Sequence, residues 1–330
     1  MSRKKLMEKV KKLLAERGRK AYEVAKEEIL NEEIEYEPVR DALEYFIQEL
    51  WHNFQRPALL SLTCESVGGE PEDTTFVGAA LVLLTGAADI HDDIIDQSKT
   101  KGSKPTVFGK FGRDMALLVG DALLLKGFTL LNESSEQLPK KQGKAIINLV
   151  KEAFFEVGIA EAKEASFKGN WDLTPEKYFD IIRMKTAIAD ATARIGAIVG
   201  GGSSDEIMAL GKYGRALGIL ASIRDEFIDI FEPDELKNRA ENECLPLPIL
   251  YAFRDPKVKN RIIDILKKGR LREKDALAVV ELIEETEETQ VLKKEMQILL
   301  KSGIESLRIV RNKNITAKLA EILYVMMEDL

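Results

Sequence analysis

Thr85-Gly-Ala-Ala-Asp-Ile-His-Asp-Asp-Ile-Ile-Asp96 stands at the end of an uncharged run that begins at Thr74, and its reading decides the fold. On an α-helix, positions 92 and 96 lie almost in line and 93 lies beside both, so Asp92, Asp93 and Asp96 share one face. Three like charges there repel one another unless something cationic sits opposite. Because they follow a segment that reads as buried, the face is expected to open into a pocket. A second group of similar shape, Asp225-Glu226-Phe-Ile-Asp229, occurs far downstream. Two facing acidic helices would suit hard divalent cations, above all Mg²⁺, which takes carboxylate and water oxygens and leaves positions free for a phosphate. A lone cluster is more often a solvated helix face; two, each ending a long apolar helix, point to a metal–diphosphate site.

The totals agree with an enzyme of this kind. The 330 residues are 45% hydrophobic and 32% charged, which allows a substantial core under a charged surface. Helix formers dominate, and one all-helical domain spanning 1–330 is the economical reading. The formal net charge of −7 argues against nucleic acid as a partner. Cys64 and Cys244 are too few for a disulfide framework and suit a reducing cytoplasm. With His52 and His91 the only histidines, a zinc site of the usual type is not expected. No apolar leader segment is read at the N-terminus. The longest uncharged segment, Thr74–Ala88, has 15 residues, short of the about 20 needed to span a bilayer. A soluble, cytoplasmic protein is the expectation.

Along the chain, an amphipathic helix is expected over 2–31, a second from Pro38 to Leu50, and a third from Asn53 to about Val67. Gly68 to Pro71 is a break, and Asp73 is a candidate N-cap for the central helix 74–97. Lys99 to Pro105 reads as a basic loop that would bring Lys99, Lys101 and Lys104 toward a metal-bound anion. Further helices are expected over 113–131, 142–167, 175–199 (Thr174 as N-cap, Pro175 at the first helical position) and 205–231. Glu232 to Pro248 reads as a long charged loop. Helices follow to Leu330, with breaks at Asp255-Pro256 and Gly303.

At this point the chain resembles the trans-isoprenyl diphosphate synthases, the polyprenyl synthetase family, as a divergent, archaeal-looking member. The resemblance rests on Arg56-Pro57, Ile90 to Asp96, Lys104-Pro-Thr106 and Gly120-Asp121-Ala-Leu-Leu. Tyr178 with Lys185-Thr186, Ile223 to Asp229, and a Leu-Pro motif before Tyr251-Ala252 follow in the family's order. It implies an all-α fold, a bundle of antiparallel helices around a deep central cavity, usually as a homodimer, with a heteromer as the alternative. It also implies an allylic prenyl diphosphate as substrate and Mg²⁺ as cofactor, three ions with diphosphate bound. By resemblance Asp92, Asp96 and Asp225 would be direct metal ligands, with Asp93 and Asp229 supporting. Lys185 would meet the diphosphate as a point charge, with Thr186 near it. Lys101 stands where the family has an arginine and lacks its bidentate fork. Ala87 and Ala88, one turn above the first cluster, stand where the family limits chain length, so small side chains there imply a chain of C20 or longer.

The match fails on one side only. The family binds isopentenyl diphosphate through a Gly-Gly-Lys-Arg-x-Arg-Pro segment, an upstream histidine and a second arginine in the basic loop. Here the segment reads Trp51-His-Asn-Phe-Gln-Arg-Pro57, with Asn53 for the lysine; Thr85 and Gly102 replace the histidine and the arginine. Ala221-Ser222 replace a Phe-Gln pair, and Glu243 and Cys244 stand where a lysine is expected. Each charge-assisted hydrogen bond is worth on the order of 1.5–3 kcal/mol, so these losses put isopentenyl diphosphate in doubt as a second substrate. Asp89, where the family has an apolar residue, is either a buried acid satisfied by a nearby arginine or hydroxyl, or an acid that steers a carbocation or accepts its proton. Three functions stay open: a prenyltransferase, a lyase or hydrolase ionising a prenyl diphosphate, and a non-catalytic partner subunit.

Overall fold

In the computed structural model, which describes residues 3–102, 104–284 and 286–327, the uncharged run becomes α4 (Thr75–Ile95), buried along most of its length. It is long and apolar enough to cross a membrane by length and composition, but 78% of its most apolar window is buried among other helices. Its neighbours are α1 (Arg3–Leu30), α3 (Gln55–Ser66) and, along the greatest length, α6 (Arg113–Glu136). α7 (Lys140–Ser166) and α9 (Ala187–Val199) close the ring; α10 (Ser204–Asp229) packs on α9. α9, which carries five alanines and Gly196, packs against α3, α7 and α10 through these small side chains. The described chain is all-α apart from one short hairpin, β1 (Thr100–Lys101) with β2 (Lys104–Pro105).

Local chemistry explains the helix starts. Thr174 caps α8 (Pro175–Lys185) by accepting from the Lys177 N–H. Ser203 and Glu206 form a reciprocal capping box at the start of α10, and Arg311 closes on Glu206 from the far end of the chain. Asp255 caps α13 (Pro256–Leu266). α16 (Lys313–Val325) packs on α1 and α3, and the Asn312 side chain donates to the Glu65 carbonyl, so the two ends of the described chain meet.

Several expected boundaries are displaced. Asp73 is not the cap of the central helix; it lies inside a 3₁₀ turn, Pro71–Thr74, that leads straight into α4. The second helix is α2 (Glu37–Tyr45), continued by a π-helical turn over Phe46–Leu50. The basic loop is the hairpin, which leads into α5 (Val107–Phe111). The expected helix 175–199 is interrupted at Thr186, which both ends α8 and begins α9. The charged loop contains α11 (Pro233–Asn242), followed by α12 (Leu247–Ala252). After α14 (Glu273–Glu284), α15 (Glu287–Ser306) runs through Gly303 without a break. Met1, Ser2 and residues 328–330, the ends of the first and last expected helices, lie outside the described residues.

Candidate active site

The acids occupy the last turns of α4 and its C-cap, and they have different surroundings. Asp92 faces a cavity of about 700 Å³ lined by residues from α3, α4, α6, α7 and α9. It has no hydrogen-bond or ion-pair partner among the described residues, and its Oδ1 is buried. Asp93 is 3% exposed and turns instead to the hairpin, where its Oδ1 lies 3.0 Å from Lys101 Nζ. Asp96 is buried at the helix C-cap, 3.3 Å from Lys168 Nζ. Burial pushes the carboxyls of Asp93 and Asp96 up to about 7, Asp93 in spite of Lys101 and Asp96 with help from the charge of Asp92.

The neighbouring motifs acquire physical reasons. A Cβ on Gly120 of α6 would lie 2.4 Å from His91 Nε2, so only glycine lets that ring pack there, with Asp121 3.4 Å from the same nitrogen. Gly102, with φ of 58°, turns the hairpin tip in a conformation that a larger residue adopts only under strain. The hairpin is pinned by Tyr45, whose hydroxyl donates to the Pro105 carbonyl at 2.6 Å, and by Lys104, whose ammonium donates to the Glu49 carbonyl at 2.7 Å. Lys104 is therefore directed away from the cavity, and Lys99 lines a separate surface cleft with Phe231 and Glu273.

Opposite the first cluster, Lys185 at the end of α8 is gripped by two acids of α7: Glu164, in close contact, and Glu161 at 3.1 Å. Sequence reasoning missed both acids, although their spacing of three puts them on one helical face. Lys185, Thr186 and Asp225 line a smaller cavity of about 210 Å³, with apolar walls from Leu59, Leu217 and Ile322. Arg56 lines both cavities, with Asp92 on the larger and Asp225 on the smaller. Arg56 has no ion-pair partner among the described residues, and burial works against its charge. Asp225 is open to this side, with 70% of its side chain exposed. Asp229 is more enclosed, and burial pushes its carboxyl up to about 7. Glu226 points the other way, into a buried network with Tyr178 and Arg239.

The remaining expected residues divide. Ala88 lines the large cavity, as do Asn53 and Thr85 at two of the altered positions. Ala87 does not; it is fully buried in the helix packing, because adjacent positions on a helix point about 100° apart. Asp89 lines the cavity, and its partner is a lysine, Lys101 at 2.7 Å, rather than the arginine or hydroxyl expected of a buried acid. Glu243 is held by Asn238 and Arg239.

Two acids outside the clusters set a pH dependence. Burial and then Asp92 push Glu161 up to about 8; burial pushes Glu243 up to about 7. Both values exceed the ordinary 4.5, so over this range the folded state binds more protons than the unfolded chain. Stability of the free protein should therefore rise, by about 1–3 kcal/mol, as pH falls from 8 to 5. A melting temperature that is flat or falls over that range would contradict this, and Glu161→Gln should reduce the slope.

The donor set can be tested against a divalent cation. Every candidate oxygen is hard, and Asp92 presents a buried oxygen without a partner, which fits Mg²⁺. Among the described residues no group of three or more acids, histidines or cysteines is set to hold an ion by itself. Asp93, Asp96 and Glu164 are each already matched to a lysine.

The sequence profile of the polyprenyl synthetase family matches residues 39–283. The chain belongs to that family. Among its polyprenyl synthetase relatives is a short chain isoprenyl diphosphate synthase of Methanothermobacter thermautotrophicus, 33% identical over 69% of this chain and 70% of that protein. A geranylgeranyl diphosphate synthase of Sulfolobus acidocaldarius is 28% identical over 66% of this chain and 64% of that one. The crystal structure of a geranylgeranyl pyrophosphate synthetase from Pyrococcus horikoshii superimposes with a TM-score of 0.83 at 24% identity, covering 97% of this chain and 99% of that one. The last likeness shows the fold. Together with the family match, the curated relatives make this chain an enzyme of the trans-isoprenyl diphosphate synthase family.

Proposed function

We propose that this polyprenyl synthetase ionises an allylic prenyl diphosphate between its two acidic clusters and transfers the prenyl group inside the large cavity. The observation that carries this reading is Asp92, a partnerless carboxylate facing a cavity of about 700 Å³. Asp92, Asp96, Asp225 and Asp229 would hold Mg²⁺, three ions with diphosphate bound, which would offset the charge developing on the leaving group. Lys185 would move from Glu161 and Glu164 to that charge, leaving Thr186 beside it. Asp93, taken up by Lys101, serves the site from behind rather than as a ligand. Leu124, Phe154 and Ile188 line the apolar part of the cavity and would exclude water from the allylic cation.

The open wall at Ala88, with Thr85 one turn deeper on the same cavity, supports the reading of a chain of C20 or longer. Ala88→Phe should shorten the longest chain accepted or made by at least one isoprene unit. An unchanged product distribution by mass spectrometry would remove Ala88 from this role.

A second reading, a lyase or hydrolase that ends in elimination, cyclisation or water capture, is favoured by the acceptor side. There Arg56 has no ion-pair partner among the described residues, but Asn53 and Thr85 replace a cation and a histidine, and Thr85 donates to the Leu81 carbonyl of its own helix at 2.7 Å. The deciding experiment is incubation with Mg²⁺ and C10, C15 or C20 allylic diphosphates, with and without isopentenyl diphosphate. A longer diphosphate formed only with isopentenyl diphosphate supports transfer. A hydrocarbon or alcohol formed without it supports the second reading, and no turnover at all overturns both. Pairing of two copies is part of the proposal, with Leu117, Leu118 and Leu125 of α6 and Phe155 and Ile159 of α7 exposed on adjacent helices. A light-scattering mass of one chain would exclude it. The cytoplasmic placement rests on two buried, free thiols, Cys64 and Cys244.

A further inference from the structure

Lys101 is the one cation that the hairpin delivers into the acid-bearing face of α4. Its ammonium sits between Asp89 Oδ1 at 2.7 Å and Asp93 Oδ1 at 3.0 Å, residues one helical turn apart. The hairpin that carries it is fastened at β2 and at its base: Tyr45 of α2 donates to the Pro105 carbonyl, Lys104 donates to the Glu49 carbonyl of the π turn, and the Thr106 hydroxyl donates to the Ser98 carbonyl at 2.8 Å. Asp93 is almost fully buried, and its second oxygen, Oδ2, has no partner. Lys101 thus holds an acid that would otherwise stand uncompensated beside Asp92.

We propose that Asp89 is a positioning residue, which seats Lys101 as a tethered cation on Asp93 and thereby keeps Asp93 out of the metal-holding set. The proposal rests on the reading of the clusters given above. Asp89 gives the ammonium a second carboxylate, so that the lysine is fixed at the base of the cavity rather than free to swing to an anion at its mouth. In the free protein the carboxylates left for a divalent cation on α4 are Asp92 and, through Lys168, a partly engaged Asp96. Metal capture then waits for the oxygens of a bound diphosphate. This accounts for the lack of a ready-made three-acid group among the described residues.

Two measurements separate the contact from its consequence. The first is a thermal-unfolding cycle of Asp89→Asn, Lys101→Met and the double variant, all without metal. The two single effects should not add, because each removes the same ion pair; strict additivity overturns the proposal. The second is a calorimetric titration with Mg²⁺ alone and with Mg²⁺ plus inorganic pyrophosphate. Lys101→Met should bind Mg²⁺ alone about tenfold more tightly than the wild type, since a positive charge next to Asp93 has gone. Lys101→Arg, which keeps the charge, should stay near wild type. If Lys101→Met does not fold, Lys101→Gln serves in its place. Unchanged or weaker Mg²⁺ binding in the charge-removing variant overturns the proposal. A wild type that takes up no Mg²⁺ even with pyrophosphate, while the unfolding cycle still shows coupling, would instead overturn the assignment of the clusters to metal.

Discussion

Asp92→Asn is expected to lower kcat by roughly 10²–10³ and, in the same protein, to raise the melting temperature of the metal-free form by about 1–2 °C. The two effects have opposite sign for one reason. Asp92 has a buried oxygen without a hydrogen-bond partner and faces Glu161 across the cavity, so the free protein carries the cost of an unbonded carboxylate oxygen, set against the longer-range attraction of Lys185. Leaving such a group unsatisfied costs about 1–3 kcal/mol, part of which asparagine removes. That cost is recovered only when a cation and a diphosphate arrive, and then it appears as stabilisation of the departing leaving group. A structural acid would behave differently, because its loss would lower both activity and melting temperature. Asp93→Asn takes a partner from Lys101 but also removes a charge that burial disfavours, so it should lower activity without the gain in melting temperature. Melting curves without metal, set beside single-turnover rates with Mg²⁺, distinguish the two acids. A drop in stability for Asp92→Asn would sink the assignment.

How much of this was legible beforehand depends on what each residue's neighbours in sequence reveal. α4 was legible because an uncharged run bounded by acids has one economical fate, a buried helix that ends at a polar site. The i,i+4 spacing of Asp225 and Asp229 likewise marked one face, and Glu226, about 100° away, falls on another. α11 was missed although Pro233 at its start, Asp234 and Glu235 in the first turn and Arg239 in the last are ordinary helix signals. Its apolar face is only Leu236 and Ala240, too thin to show a period among so many charges. The interruption at Thr186 carries no glycine or proline. The lysine-rich loop showed that cations would lie near the first cluster, but not that Lys101 would reach Asp89 while Lys104 faced away. Residues paired across the hairpin share a face, so that choice is made by the partner each ammonium finds, Asp89 and Asp93 for Lys101 and the Glu49 carbonyl for Lys104. Ion pairs made by tertiary packing, such as Lys185 with Glu161 and Glu164, left no trace in spacing to either partner.

The second large effect is expected at a residue that touches no substrate. Arg239→Met should destabilise the protein by about 3–5 kcal/mol, a fall in melting temperature of roughly 4–7 °C. Its guanidinium is 11% exposed and bonds to Glu226 at 3.0 Å, Glu243 at 3.0 Å and the Tyr178 hydroxyl at 2.9 Å. The Tyr178 hydroxyl in turn donates to Glu226 at 2.6 Å and lies 3.1 Å from a Glu164 oxygen, and the Leu247 N–H donates to Glu226 at 2.7 Å. Five segments, α7, α8, α10, α11 and the turn into α12, therefore share one buried polar cluster. Removing its central cation leaves carboxylates buried without compensation, which costs far more than the intact cluster contributes. The asymmetry provides the control. Arg239→Met combined with Glu226→Gln should recover part of the loss, and so should lowering the pH toward 5. Glu243, already pushed up to about 7, then takes up a proton that the unfolded chain binds only near 4.5. Because Glu164 belongs to both this cluster and the grip on Lys185, kcat should fall along with stability, and Lys185 then loses its fixed starting position. A loss below 1 kcal/mol, or one that neither Glu226→Gln nor acid reverses, would mean that the cluster is not held together by Arg239.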